Sequence, residues 1–134
     1  MKKRIPCLFC LVAGGGDAAT GLLLIAAPSL VLRLLGIAGS ADLAYLRFVG
    51  VFVGCVGLAY LLPWLTRDRL RRARRIVSAV EMTAGVRLAV ALFLGVAVAA
   101  GVLDLPWMTV GVYDAVVAMA QLGLLARGGF GDAA

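Results

Sequence analysis

The chain has 134 residues, 63% of them hydrophobic, with a mean hydropathy of +1.06, a formal charge of +6 and no histidine. That is more apolar side chain than a soluble domain of this length buries, so the composition indicates an all-α polytopic membrane protein, a single integral membrane domain. The missing histidine excludes imidazole acid–base chemistry and His-ligated metal sites; the basic balance, concentrated in "MKKR" and "RDRLRRARR", speaks for membrane orientation and anionic lipid head groups rather than nucleic acid.

A hydrocarbon core about 30 Å thick is crossed by about 20 apolar residues in a helix. Four segments meet that length: residues 7–27, 43–65, 76–100 and 106–125. The first follows "MKKR" and is expected to be retained as a span. Read as a cleaved leader it would put Asp17 close to the cleavage region, and its apolar run continues well past that point. The span opens with Cys7 and Cys10 in "PCLFC", a spacing that sets both thiols on one helix face. It is a soft-metal or redox signal in the right setting, but at a cytoplasmic helix end two buried, reduced cysteines are the plainer reading. Cys10 lies two turns from Asp17 on that face. The pair, followed by a carboxylate, loosely resembles the small four-helix mercuric-ion uptake proteins of the MerC kind, a resemblance that would imply passage of a soft metal ion.

Asp17 itself stands in "GGGDAATG", where an ionised carboxylate near the bilayer centre is costly and marks a functional site until a partner is found. After it, Pro28 is expected to break the helix, and "SLVLRLLG" reads as a short amphipathic helix on the membrane surface, ended by Gly36. The second span carries Arg47 on a stripe with Gly50, Gly54 and Gly57, and Asp17 is flanked by Gly14 and Gly21. Such stripes let two backbones approach closely, which would draw Asp17 towards Arg47. A basic loop follows, then a third span with Glu81 near its start and Arg87 deeper, and a fourth span with Asp114 and, two turns on, Gln121. Trp64 and Trp107 suit the interfacial belts. With four spans, ten basic residues (Lys2, Lys3, Arg4, the six arginines from Arg67 to Arg75, and Arg127) fall on one side and Arg33 on the other. The expected orientation therefore has both termini in the cytoplasm of a bacterial inner membrane.

At 1.5 Å per residue, Asp17 and Arg87 both lie roughly 15 Å into the bilayer, Asp114 falls near the same plane, and Arg47 sits about one turn further out. Two acids and two bases on four helices sum to zero charge, with Gln121 extending the polar track. Two readings stand: ion pairs that fix helix register, or a polar pocket for a proton, a small ion or an amphiphile's head. Buried ion pairs contribute little net stability, which leaves room for a role beyond packing. The paired positions of Asp17 and Asp114 hint at two-helix repeats, but their flanking residues do not align.

The segments "GDAATGLLLIAAPSLVLRLLG", "RFVGVFVGCVGLAYLL" and "VYDAVVAMAQLGLLARG", with the basic loop between the last two, resemble in layout small bacterial four-helix membrane proteins of the DoxX-like kind. The resemblance implies an inner-membrane accessory subunit, in some cases linked to quinol or sulfur redox chemistry, and assigns no catalytic residue. The expectation is a non-enzymatic membrane component without a cofactor, binding a partner membrane protein, a second copy or a small amphiphile through Asp17, Arg47, Arg87 and Asp114. A small oligomeric transporter or proton-coupled channel is the alternative, and a thiol or quinone redox subunit the third.

Overall fold

The structure is a computed structural model that describes residues 4–37 and 42–130, so Lys2 and Lys3 of the basic N-terminal cluster lie outside the described residues. It is an all-α bundle of α1 (Arg4–Ala26), α2 (Pro28–Leu34), α3 (Leu43–Leu61), α4 (Arg69–Ala99) and α5 (Met108–Ala126). Four helical segments, Cys7–Ala26, Leu43–Leu65, Arg69–Ala99 and Leu105–Ala126, are long and apolar enough to cross a membrane. Up-and-down order brings the start of α1, the α3–α4 connection and the end of α5 to one end, here called the arginine-rich end.

The helix boundaries have local causes. Pro28 stands at the start of α2, where a proline's missing N–H costs nothing and its fixed φ suits the first turn. Gly36, at φ +69°, ends the helix; Gly36 N–H donates to Arg33 O (3.1 Å) and Ile37 N–H to Leu32 O (2.9 Å), and Leu32 packs on Ile37, the pattern of a glycine-terminated helix with its apolar clasp. Asp42 caps α3 by accepting from Ala44 N–H at 2.8 Å, and Asp68 caps α4 by accepting from Leu70 N–H at 2.9 Å. The second cap corrects one expectation. The basic stretch is helix from Arg69 onward, not loop, because a good cap precedes a run of leucine, alanine and arginine, all strong helix formers. Arg72 turns back to this junction, donating from Nε (2.9 Å) and Nη2 (2.7 Å) to Thr66 O while its guanidinium lies 5.9 Å from the Trp64 ring centre.

The bundle consists of two antiparallel hairpins, α1 with α3 and α4 with α5; by comparison the α3 and α4 backbones approach each other sparsely. The first hairpin is held by glycines seven residues apart on both helices. A β-carbon added at Gly21 would lie 2.7 Å from Gly50 O and 2.5 Å from Gly54 N; one at Gly14 would lie 2.8 Å from Tyr60 Cβ and 3.0 Å from Gly57 O. Gly50 would meet Gly21 O at 2.8 Å, and Gly57 closes on the Ala18 backbone. Gly54 contributes its backbone alone, since a methyl there points into open space. This is the close helix packing that membranes favour where burial of apolar surface gives no drive.

The hairpins meet through larger side chains. Near the arginine-rich end Cys10, Ala13, Tyr60, Ile76 and Val80 form a buried cluster closed by Phe130, which is 1% exposed. Phe130 reaches it because the chain reverses after α5 at Gly128 (φ +65°), with Gly129 N–H donating to Leu124 O at 2.9 Å, and its ring meets Phe9 edge to face. At the opposite end Leu32, Ile37 and Leu46 pack with Leu35 and Trp107.

Candidate functional site: a buried triad between the hairpins

Between the two apolar ends runs a polar seam. Its centre is Arg87 of α4, 4% exposed, whose Nη2 donates to Asp17 Oδ2 of α1 and whose Nη1 donates to Asp114 Oδ1 of α5. One guanidinium thus joins the two hairpins. Asp17 is 6% exposed; Asp114 is partly buried. The Arg87 guanidinium also lies 5.7 Å from the centre of the Tyr113 ring, a cation–π distance, while its buried Nε has no hydrogen-bond partner among the described residues.

A second polar knot lies towards the arginine-rich end. Gln121 of α5, fully buried, directs Nε2 at Tyr60 Oη of α3 (2.6 Å) and at Thr83 Oγ1 (2.9 Å) and Val80 O (3.2 Å) of α4; its Oε1 has no partner among the described residues. Thr83 Oγ1 in turn donates to Ala79 O at 2.7 Å. Phe130 and Cys10 lie below this knot, so the seam is sealed by apolar side chains at that end.

The structure therefore brings Asp17, Arg87 and Asp114 together and sets Gln121 in a separate contact on the same seam. Arg47 stands apart, which corrects the expectation of a neutral quartet. It is exposed, and among the described residues it forms no ion pair. The reason is positional. Arg47 lies one turn inside the α3 N-terminus, so its long side chain can reach the head groups, and no gain offsets burying it. Without it the remaining site has two carboxylates and one guanidinium, a formal charge of −1 when both acids are ionised.

Cys10 is fully buried in the apolar cluster, Cys7 is half-buried and Cys55 exposed. Among the described residues no group of three or more Cys, Asp or Glu side chains gathers to hold a metal ion. Glu81 is exposed on α4. Sequence reasoning gave no role to Tyr113 or Phe130. Tyr113 adjoins Asp114, so the signal that was present is an aromatic beside an intramembrane acid; Phe130 lies beyond the last span, where hydropathy carries no information.

On the outer side of α5, away from the arginine-rich end, Leu105, Pro106, Met108, Thr109, Val112 and Tyr113 line an open, largely apolar groove of about 760 Å³. Tyr113 belongs both to this groove and to the surroundings of Arg87. Comparison with protein-family models, curated proteins and solved structures gives no match.

Proposed function

We propose that this is a non-enzymatic integral membrane protein that binds a small amphiphile where the triad meets the α5 groove. A single observation carries the reading. The two hairpins share one buried guanidinium between two carboxylates, and the aromatic ring covering that guanidinium is also a wall of an apolar groove. The groove is open rather than enclosed and its lining is apolar; Tyr113 is the residue that links it to the triad. Direct pairing of the charges supports binding over transport, because an ion pathway needs charges facing water rather than one another.

Orientation and location belong to the same proposal: a bacterial inner membrane with the arginine-rich end in the cytoplasm. The ten-to-one split of basic residues supports it. Arg67, Arg69, Arg71 and Arg74 are all exposed, in position to meet anionic lipid head groups.

The test is native mass spectrometry of the full chain released from lipid nanodiscs that have been equilibrated with cationic, anionic, zwitterionic and neutral amphiphiles. At least one class is expected to remain bound one to one in the wild-type chain and to be lost in Val112→Trp, which fills the groove. If no class is retained above the level seen for Val112→Trp, the reading fails.

A further inference from the structure

We infer that an ordered water molecule is held between the triad and the Gln121 knot and joins the two into one hydrogen-bonded network. Three polar groups from three helices call for it. Arg87 Nε of α4 and Gln121 Oε1 of α5 are buried and have no partner among the described residues. Tyr60 Oη of α3 accepts from Gln121 Nε2, and its own proton meets no acceptor among those residues. The carbonyl of Val80 fixes the sense of the amide: it only accepts, so the Gln121 atom 3.2 Å from it is the NH2 group and Oε1 is turned away. Two donors and one acceptor are therefore left over, and buried polar groups without a protein partner are as a rule completed by water.

The three groups share one stretch of the interior. Arg87 stands one turn beyond Thr83 on α4, and Thr83 Oγ1 lies 2.9 Å from Gln121 Nε2. The Tyr60 hydroxyl, 2.6 Å from the same nitrogen, is also within interaction range of Arg87. The buried side chains between the triad and the knot are Ala84 on α4 and Ala118 on α5, methyl groups that fill little of the space between helices, and Phe130 and Cys10 close the seam beneath.

The pattern of hydrogen bonding selects the occupant. It accepts from Arg87 Nε–H and Tyr60 O–H and donates to Gln121 Oε1. A halide only accepts, and it would be set against the amide oxygen. A metal cation would find that single oxygen beside a guanidinium, far short of the ligands a hard cation needs, and among the described residues no group of three or more Cys, Asp or Glu gathers to hold one. Water does both, and three bonds are the usual complement of a buried water. None of the three groups is a carboxylate, so the pattern holds whether Asp17 and Asp114 are ionised or neutral.

Gln121 carries the only side-chain amide in the chain, which has no asparagine and no other glutamine, so a label in that nitrogen reports on it alone. The full chain is reconstituted in lipid bilayers with glutamine and arginine labelled in their side-chain nitrogens, and magnetisation is passed to them from water protons over short mixing times in solid-state NMR. The Gln121 amide is expected to receive it although the residue is fully buried, and so is Arg87 Nε, whose signal is identified by its loss in Arg87→Lys. Ala84→Val and Ala118→Val, with folding checked by tryptophan fluorescence, add methyl groups between triad and knot and are expected to slow the transfer to Gln121 at least threefold. No transfer to Gln121 in the wild-type chain, or transfer to Gln121 without transfer to Arg87 Nε, would overturn the inference, and this comparison needs no variant that strains the core. A shift of the Gln121 signal when chloride is exchanged for gluconate would assign the site to an anion and overturn it too. Transfer unchanged in both folded valine variants would place the water elsewhere, with the same consequence.

Discussion

Replacing Arg87 by methionine keeps most of the side-chain volume and removes the one cation that the described residues place in the seam. Both carboxylates, Asp17 at 6% exposure and Asp114 close behind, then face each other without a counter-charge. Breaking a buried ion pair by deleting one partner costs about 3–5 kcal/mol, because the remaining charge stays desolvated. At 1.36 kcal/mol per decade that is roughly a hundredfold to several-thousandfold fall in the folded-to-unfolded ratio. Here two acids lose their partner, which places the expected loss at the upper part of that range. The triple variant Asp17→Asn/Arg87→Met/Asp114→Asn carries no uncompensated charge and is expected to recover to within ~2 kcal/mol of wild type, since neutral polar contacts across membrane helices contribute little each. Unfolding by dodecyl sulfate titration in mixed micelles, followed by the fluorescence of Trp64 and Trp107, measures both. A loss below ~1 kcal/mol for Arg87→Met, or a triple variant no better than the single, would refute the view that one guanidinium joins the hairpins.

Further outcomes follow from the same geometry. Gly21→Ala, whose new methyl would press on Gly50 O and Gly54 N, is expected to lose about 1–3 kcal/mol in the same titration, as overpacking does. Gly85→Ala, where the methyl meets open space, should be neutral or gain up to ~1 kcal/mol from helix propensity; equal effects at the two sites would contradict the packing described. Arg47→Gln is expected to stay within ~0.5 kcal/mol of wild type, and a loss comparable to that of Arg87→Met would put Arg47 back into the interior. Gln121→Leu removes the donor shared by Tyr60, Thr83 and Val80 and should cost about 1–3 kcal/mol, with enhanced hydrogen exchange confined to the arginine-rich half of the bundle.

The parts of this molecule legible in its sequence are those governed by length, period and the absence of a side chain. Apolar runs give four membrane-length helices, and glycines at seven-residue spacing on α1 and α3 mark the faces that touch, because backbone contact admits no substitute. Depth counting places Asp17, Arg87 and Asp114 in one plane. It does not say which arginine Asp17 meets. Arg47 shares the glycine stripe and Arg87 does not, yet Arg87 takes the contact, because a side chain can leave its own face for a head group or a neighbouring helix over several ångströms. The same reach explains why the Gln121 knot, drawn from three helices, shows only one of its members as unusual. Phe130 was hidden for another reason: its place follows from a turn at Gly128 that has no periodic signature.

The contrast between the two kinds of contact has an evolutionary consequence. Within the first hairpin the fit is written in the main chain, so nearly any change at Gly14, Gly21, Gly50 or Gly57 adds bulk where none fits. Between hairpins the fit is written in a handful of replaceable side chains around Arg87 and Gln121. A lineage carrying this architecture can therefore exchange the seam, polar for apolar or one charge pattern for another, while inheriting the helical frame unchanged.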